Sequence, residues 1–432
     1  MEIYHLKNIL VIAFGYLLIY ISFGGLQTLQ SSLNSHGGLG VVSLSVIYGS
    51  QILSSVVFTP YVIRKLGCKW TVTISMCFYI TYTLANFYPK WYTLIPTSVL
   101  VGLAGSPFWT AKCTYLTLSA QQRAQKENKV TMHIINQYFG IFFLIFQSAR
   151  IWGNLLSSLI LHLSSENACG ALAVLLIYMF LDPIDLQNEK KKDGYPQYFW
   201  NDFLATLKHL QDKRQCLLIP LTIYSGIEQG FILSDYTKSY VTCSLGIKFV
   251  GYVIIIFGAM TSICSFLFGK LFEYVNRIAF FILATVINII CISVLFVWRP
   301  NPEQLGMYFV FSGLWGIADA IWQASVNALY GILFEGNREA AFANYLLWKS
   351  LGYVLSFGYS PFLCINIKLS VLIFILLVGM FCYGIVEYFE WKKTVSKITN
   401  IIVVDNFNRK PQGTIKDSVQ GFIIIMSLKI IV

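Results

Sequence analysis

Residues 304–332 read QLGMYFVFSGLWGIADAIWQASVNALYGI. At a rise of about 1.5 Å per residue, a helix over this stretch exceeds a hydrocarbon core of about 30 Å. Strand-like alternation is absent. In lipid every backbone N–H and C=O must bond internally, so a helix is the expected state. Within it Asp319, Gln323 and Asn327 recur at i, i+4 and i+8, which places them on one stripe. An acid in lipid is costly, so this stripe is expected to face a cavity or a partner. Trp315 and Trp322 lie nearby in sequence.

The same reading extends over most of the chain. Its 432 residues are 56% hydrophobic and 12% charged. Soluble domains carry about 45–50% apolar and about 25% charged residues. A soluble enzyme, a disordered chain, a coiled coil and a secreted disulfide scaffold are all poor fits. Apolar runs predict spans at 8–28, 41–62, 70–88, 92–118, 132–161, 169–184, 215–235, 245–268, 278–298, 304–332, 340–363 and 368–390. The fold class expected is an all-α membrane protein with twelve transmembrane helices. The sixth span is short, since Asp182 and Pro183 follow Leu181.

Charge tests this topology. With a cytosolic N-terminus, the cytosolic ends hold 19 Lys and Arg before the distal tail, and the outer ends hold five: Lys90, Lys238, Lys248, Arg299 and Lys368. Cytosolic loops carry the excess of Lys and Arg, so both termini are expected in the cytosol and the short sixth span is expected to cross. The net charge of +11 fits an anionic leaflet better than nucleic acid, and no nucleic-acid partner is expected. The expected units are an N-terminal six-helix bundle at 1–185, a cytosolic linker at 186–214, a C-terminal bundle at 215–392 and a tail at 393–432.

Candidate cavity or coupling residues follow from polar groups inside spans. They are Glu228, Asp319, Gln323, Asn327 and Lys349 in the second half, and Gln137 and Arg150 in the first. Lys349 is a candidate counter-ion to Asp319. Lys112 in span four reads as snorkelling or paired. These groups line a path for a proton, a cation or a small solute, or they glue helices together. Sequence leaves both readings open. No Walker pattern, dinucleotide fingerprint or HExxH is present, and the five His do not form a close-spaced ligand set. No enzyme activity, cofactor or metal is expected.

Several stretches resemble the UNC-93-like family, a divergent branch of the major facilitator superfamily. They are Gly24-Gly25-Leu26-Gln27, Trp91 to Ser98, Asn136 to Gln147, Phe311 to Gly316, Asp319, Ala340 to Tyr345 and Phe357 to Tyr359. The resemblance covers about Leu6 to Glu390. It implies two six-helix bundles around a central cleft, in the plasma membrane or an endomembrane. It also implies accessory roles: regulation of a potassium channel complex, or membrane-protein trafficking in another branch. Potassium channel subunits, other membrane proteins, the lipid bilayer and a small solute or cation are the expected partners. The superfamily's signature loop is altered. Gly67 and Lys69 match it, but Arg64 stands at its acidic position and Pro60 at its first Gly. The second-half echo keeps Gly269 and Glu273 and has Asn276 where a Gly is usual.

Overall fold

The computed structural model describes residues 2–34, 39–153, 163–184, 205–246, 248–272, 274–359 and 362–408. Its long helices are α1 (Glu2–Leu33), α2 (Leu39–Val57), α3 (Thr59–Ala85), α4 (Trp91–Glu127), α5 (Thr131–Gln147) and α6 (Leu163–Phe180). They continue as α7 (Lys213–Phe231), α8 (Lys248–Leu271), α9 (Arg277–Val297), α10 (Leu305–Leu333), α11 (Arg338–Tyr359) and α12 (Ile365–Asn408). After Phe231 the α7 backbone widens into a π-helical stretch, Ile232–Thr242. Such stretches are rare and often mark functional sites.

By length and composition, eight helical segments among the described residues can cross a membrane, or nine if one bent pair is a single span. That pair is Val42–Val57 and Thr59–Ala85, bent by 93°. The predicted spans at 41–62 and 70–88 fall on that pair, and two more predicted spans fall outside this set for visible reasons. α6 offers only Gly170–Phe180 as apolar helix, and α11 buries Arg338, Asn344, Lys349 and Ser350. The most lipophilic surface lies on α9 and α12, where Ile282, Ile290, Phe374 and Phe381 are exposed. Side chains of this kind suit contact with lipid tails, so the exposed apolar area has a solvent to match.

The helices pair in a repeating pattern. α2 packs on α4, α3 on α4 and on α6, and α1 on α5 and on α6. Six labels further on, α8 packs on α10, α9 on α10 and on α12, and α7 on α11 and on α12. The most extensive pairings that join these groups are α5 with α8 and α2 with α11. The α5–α8 seam is close because neither helix has a side chain at the crossing. A Cβ on Gly269 would lie 2.9 Å from the Gly140 Cα.

Local sequence explains the bends that shape the interior. Pro107 has no N–H, so the Leu103 carbonyl four residues earlier loses its helical donor. The Ser54 hydroxyl donates to that carbonyl instead, at 2.6 Å, which fastens α2 to α4. The last span also runs further than sequence places it, since α12 continues as helix beyond residue 392 to Asn408. α7 begins at a cap. The Asp212 carboxylate accepts from the Arg214 backbone N–H at 2.9 Å and from its guanidinium at 2.8 Å. Burial opposes the charge on Asp212, but these hydrogen bonds outweigh it and hold the carboxyl below its ordinary range.

Candidate functional site

The polar stripe predicted on α10 is present and buried. The Asp319 Oδ1 accepts from the Gln229 amide at 2.6 Å and more weakly from the Gln323 amide at 3.5 Å. Gln323 turns its own oxygen to Lys349, whose ammonium donates to it at 3.3 Å. Lys349 also donates to the Tyr345 hydroxyl at 3.3 Å. Asp319 and Lys349 therefore communicate through an amide. Gln323 stands between the two groups, so Lys349 faces the Asp319 charge across an amide. Tyr353 donates to the Gln229 oxygen, which ties α11 to α7 a second time.

Glu228 sits behind this relay. Its Oε1 accepts from Asn288 at 3.0 Å, and Asn288 also donates to the Tyr224 hydroxyl at 2.6 Å. Asp319 Oδ2 and Glu228 Oε2 are buried with no hydrogen-bond partner among the described residues. Asn327, one turn beyond Gln323, donates to the Gln323 carbonyl at 2.6 Å. Its side-chain oxygen accepts from the Cys113 thiol of α4 at 3.0 Å, a contact between the two helix groups.

The opposite wall is built from aromatic rings. Lys112 on α4 is 1% exposed, so it does not snorkel to a surface. Its ammonium lies 4.6 Å from the Phe142 ring centre, 5.0 Å from Phe143, 5.1 Å from Trp109 and 5.5 Å from Phe139. Ring faces carry negative charge, and a desolvated contact of this kind contributes about 2 kcal/mol. These rings converge because α5 presents Phe139, Phe142, Phe143 and Phe146 toward α4 at helical spacing. Beyond the turn at Ser148, Arg150 stacks on Phe257 of α8 at 4.7 Å.

Between the two walls lies a cavity of about 140 Å³. Of the predicted candidates, Gln323, Asn327, Lys349 and Arg150 line it. Asp319 and Glu228 are one layer behind, and Gln137 is half-buried on α5 away from this wall. Gln147 also lines the cavity, and neither end of its buried amide has a hydrogen-bond partner among the described residues. Leaving such an amide unsatisfied costs about 1–3 kcal/mol. Tyr48 and Tyr353 stack at 4.7 Å across the α2–α11 seam and line the cavity too. Sequence reasoning missed these two tyrosines, because an aromatic in an apolar helix carries no one-dimensional signal of what it faces.

The signature-loop candidates lie elsewhere. Gly67 has φ +75° and ψ 165°, a backbone region that essentially only glycine adopts, and it bends the start of α3. Lys69 lies 6.0 Å from the Tyr178 ring centre on α6. Gly269 forms the close α5–α8 seam described above, and Glu273 lies outside the described residues. Arg64 reaches Glu339 on α11 at 3.9 Å. Near it, Gln121 of α4 donates to Glu335 at 3.3 Å and accepts from Arg338. These polar contacts join the two helix groups away from the cavity lining.

This architecture is shared with transporters of known structure. It is similar to the human organic anion transporter MFSD10 (TETRAN), with a TM-score of 0.66 at 12% identity, over 88% of this chain and 99% of that one. It is likewise similar to a major facilitator superfamily transporter, FucP, in the outward conformation, with a TM-score of 0.63 at 11% identity, covering 89% and 99%. At such identities the likeness carries the fold alone. Residues 30–383 match the family described as "Ion channel regulatory protein UNC-93", and the chain belongs to that family. It is 52% identical over 430 residues to protein unc-93 homolog A of Xenopus laevis, covering 89% of this chain and 94% of that protein. It is 31% identical over 436 residues to the "Putative potassium channel regulatory protein unc-93" of Caenorhabditis elegans, covering 89% and 61%.

Proposed function

We propose that this chain is a multipass, transporter-fold protein that regulates a membrane complex such as a potassium channel. The observation that carries the reading is the reworked signature loop. Where the superfamily has an acid, this chain has Arg64, and Arg64 faces Glu339 of the opposite helix group at 3.9 Å. A loop reworked in this way suits a protein whose two helix groups are held in register more than one that cycles freely. The family description and the name of the Caenorhabditis elegans relative agree with a regulatory role. On this reading the chain forms two six-helix bundles with twelve crossings and cytosolic termini in the plasma membrane. The repeated pairing of helices, six labels apart, supports that arrangement.

The test is co-expression with potassium channel subunits. Channel current should change and the channel should co-purify with the chain. Unchanged current on adding or removing the chain sinks this reading. Altered delivery of the channel to the surface, with normal current per channel, would favour a trafficking adaptor.

A second reading is a small-solute transporter, and the cavity between the helix groups favours it. Glu228, Asp319, Gln323, Asn327, Lys349 and Arg150 would then bind or couple. In liposomes, saturable uptake that is lost in Asp319→Asn is the expected result. Uptake that Asp319→Asn leaves intact would remove Asp319 from any coupling role.

A further inference from the structure

We infer that the central cavity binds a small organic anion, one with a carboxylate head and an apolar body. This rests on the cavity being a ligand site, whether the ligand is cargo or a regulatory signal. Three cationic side chains line the cavity from three helices, or their continuation: Lys112 from α4, Arg150 beyond α5 and Lys349 from α11. Among the described residues, no Asp or Glu lines its wall. The buried acids nearby are not lining residues, and their bonded oxygens are taken up by amides, Asp319 by Gln229 and Gln323 and Glu228 by Asn288. A cationic solute entering here would meet like charge at close range in a water-poor interior, where charge interactions are strong. A carboxylate would meet the opposite sign.

The Gln147 amide gives independent support. It is fully buried, lines the cavity, and neither its N–H₂ nor its oxygen has a hydrogen-bond partner among the described residues. Buried polar groups in folded proteins are nearly always satisfied, so an amide beside a cavity with neither end bonded is a contact that a ligand oxygen can satisfy after a small side-chain shift. Aromatic rings, those of Tyr20, Tyr79, Trp109 and Phe146, also line it. Pockets of this composition hold an apolar body and fix its orientation with a few polar groups. The sequence expectation of a proton or cation ligand rested on Asp319 and Glu228, and both are a layer behind the wall.

The experiment uses the full chain, purified into lipid nanodiscs. Acetate, benzoate and octanoate are titrated by calorimetry, each beside its neutral amide and the matching primary amine. At least one carboxylate should bind saturably, at least tenfold tighter than its amide, and the amines should not bind. Lys349→Met should weaken that carboxylate at least tenfold toward the level of the amide. Lys112→Met gives a second variant should the first fail to fold, and the wild-type series needs neither. Equal binding of carboxylate and amide overturns the inference. So does binding of an amine in preference to the carboxylate, or no binding in any series. Channel current is measured on the same protein. A current effect without carboxylate binding defeats this inference alone, and carboxylate binding without a current effect defeats the regulatory reading alone.

Discussion

On α4, Lys112 is surrounded by the rings of Trp109, Phe139, Phe142 and Phe143. On α11, Lys349 reaches Asp319 through the Gln323 amide, and Gln229 and Tyr353 extend the same chain of hydrogen bonds. Both lysines face one cavity and both are buried in a region expected to lie within the bilayer. The first is held by many diffuse contacts, none of which is indispensable. The second is held by a few directional bonds in which each member orients the next. Diffuse contacts tolerate substitution, whereas a half-satisfied polar network is worse than an apolar one. The two walls should therefore respond differently to mutation.

The largest effect is expected at the link of the relay. Gln323→Leu removes the acceptor from Lys349 and one donor from Asp319 together, at a cost of about 3 kcal/mol. Thermal unfolding in detergent measures it, and a loss under about 1 kcal/mol would show that the relay does not hold this wall. The seam that brings the walls together comes next. Gly140→Val drives a side chain into Ser265 and Gly269 of α8 and should destabilise by about 2 kcal/mol. A neutral result there would mean that α5 and α8 can separate without consequence.

The aromatic wall should respond less. Phe142→Leu keeps apolar bulk but removes the ring nearest to Lys112, for a loss of about 1 kcal/mol. If that loss equals the one at Gln323, the contrast between the walls fails. The smallest effect lies outside both walls, at the start of α7. The Asp212 carboxyl is held below its ordinary range by Arg214, so its contribution is present above about pH 4, the unfolded value, and fades as pH falls further. Asp212→Asn should flatten the acid limb of stability below about pH 4 and leave the cavity's ligand preferences unchanged. Unfolding followed from pH 7 down to pH 3 in wild type and variant reads this directly.

The stripe on α10 shows how far sequence reaches. Spacing of i, i+4 and i+8 placed Asp319, Gln323 and Asn327 on one buried face, and Gln323 and Asn327 do line the cavity. Spacing along one helix says nothing about depth around it, so it could not place Asp319 behind the wall. Arg150 was legible as a charge in an apolar run, but its stacking on Phe257 depends on a helix more than a hundred residues away. Gln137 and Gln147 lie on the same short helix with the same side chain. Only the latter lines the cavity, which follows from where α5 meets its neighbours.

Taken alone, the sequence determined that this is a membrane protein built of helices. Apolar runs of fixed length and a shortage of charge admit few other solutions where backbone groups have no water to bond. It also determined which helices carry buried polar groups, because periodicity along a helix is a local property. The sign of the cavity was decided only by tertiary structure. Lys112, Arg150 and Lys349 stand far apart in the chain, and their convergence depends on the α5–α8 and α2–α11 seams. Electrostatic character is set by distance and orientation in space, and a linear order of residues contains neither.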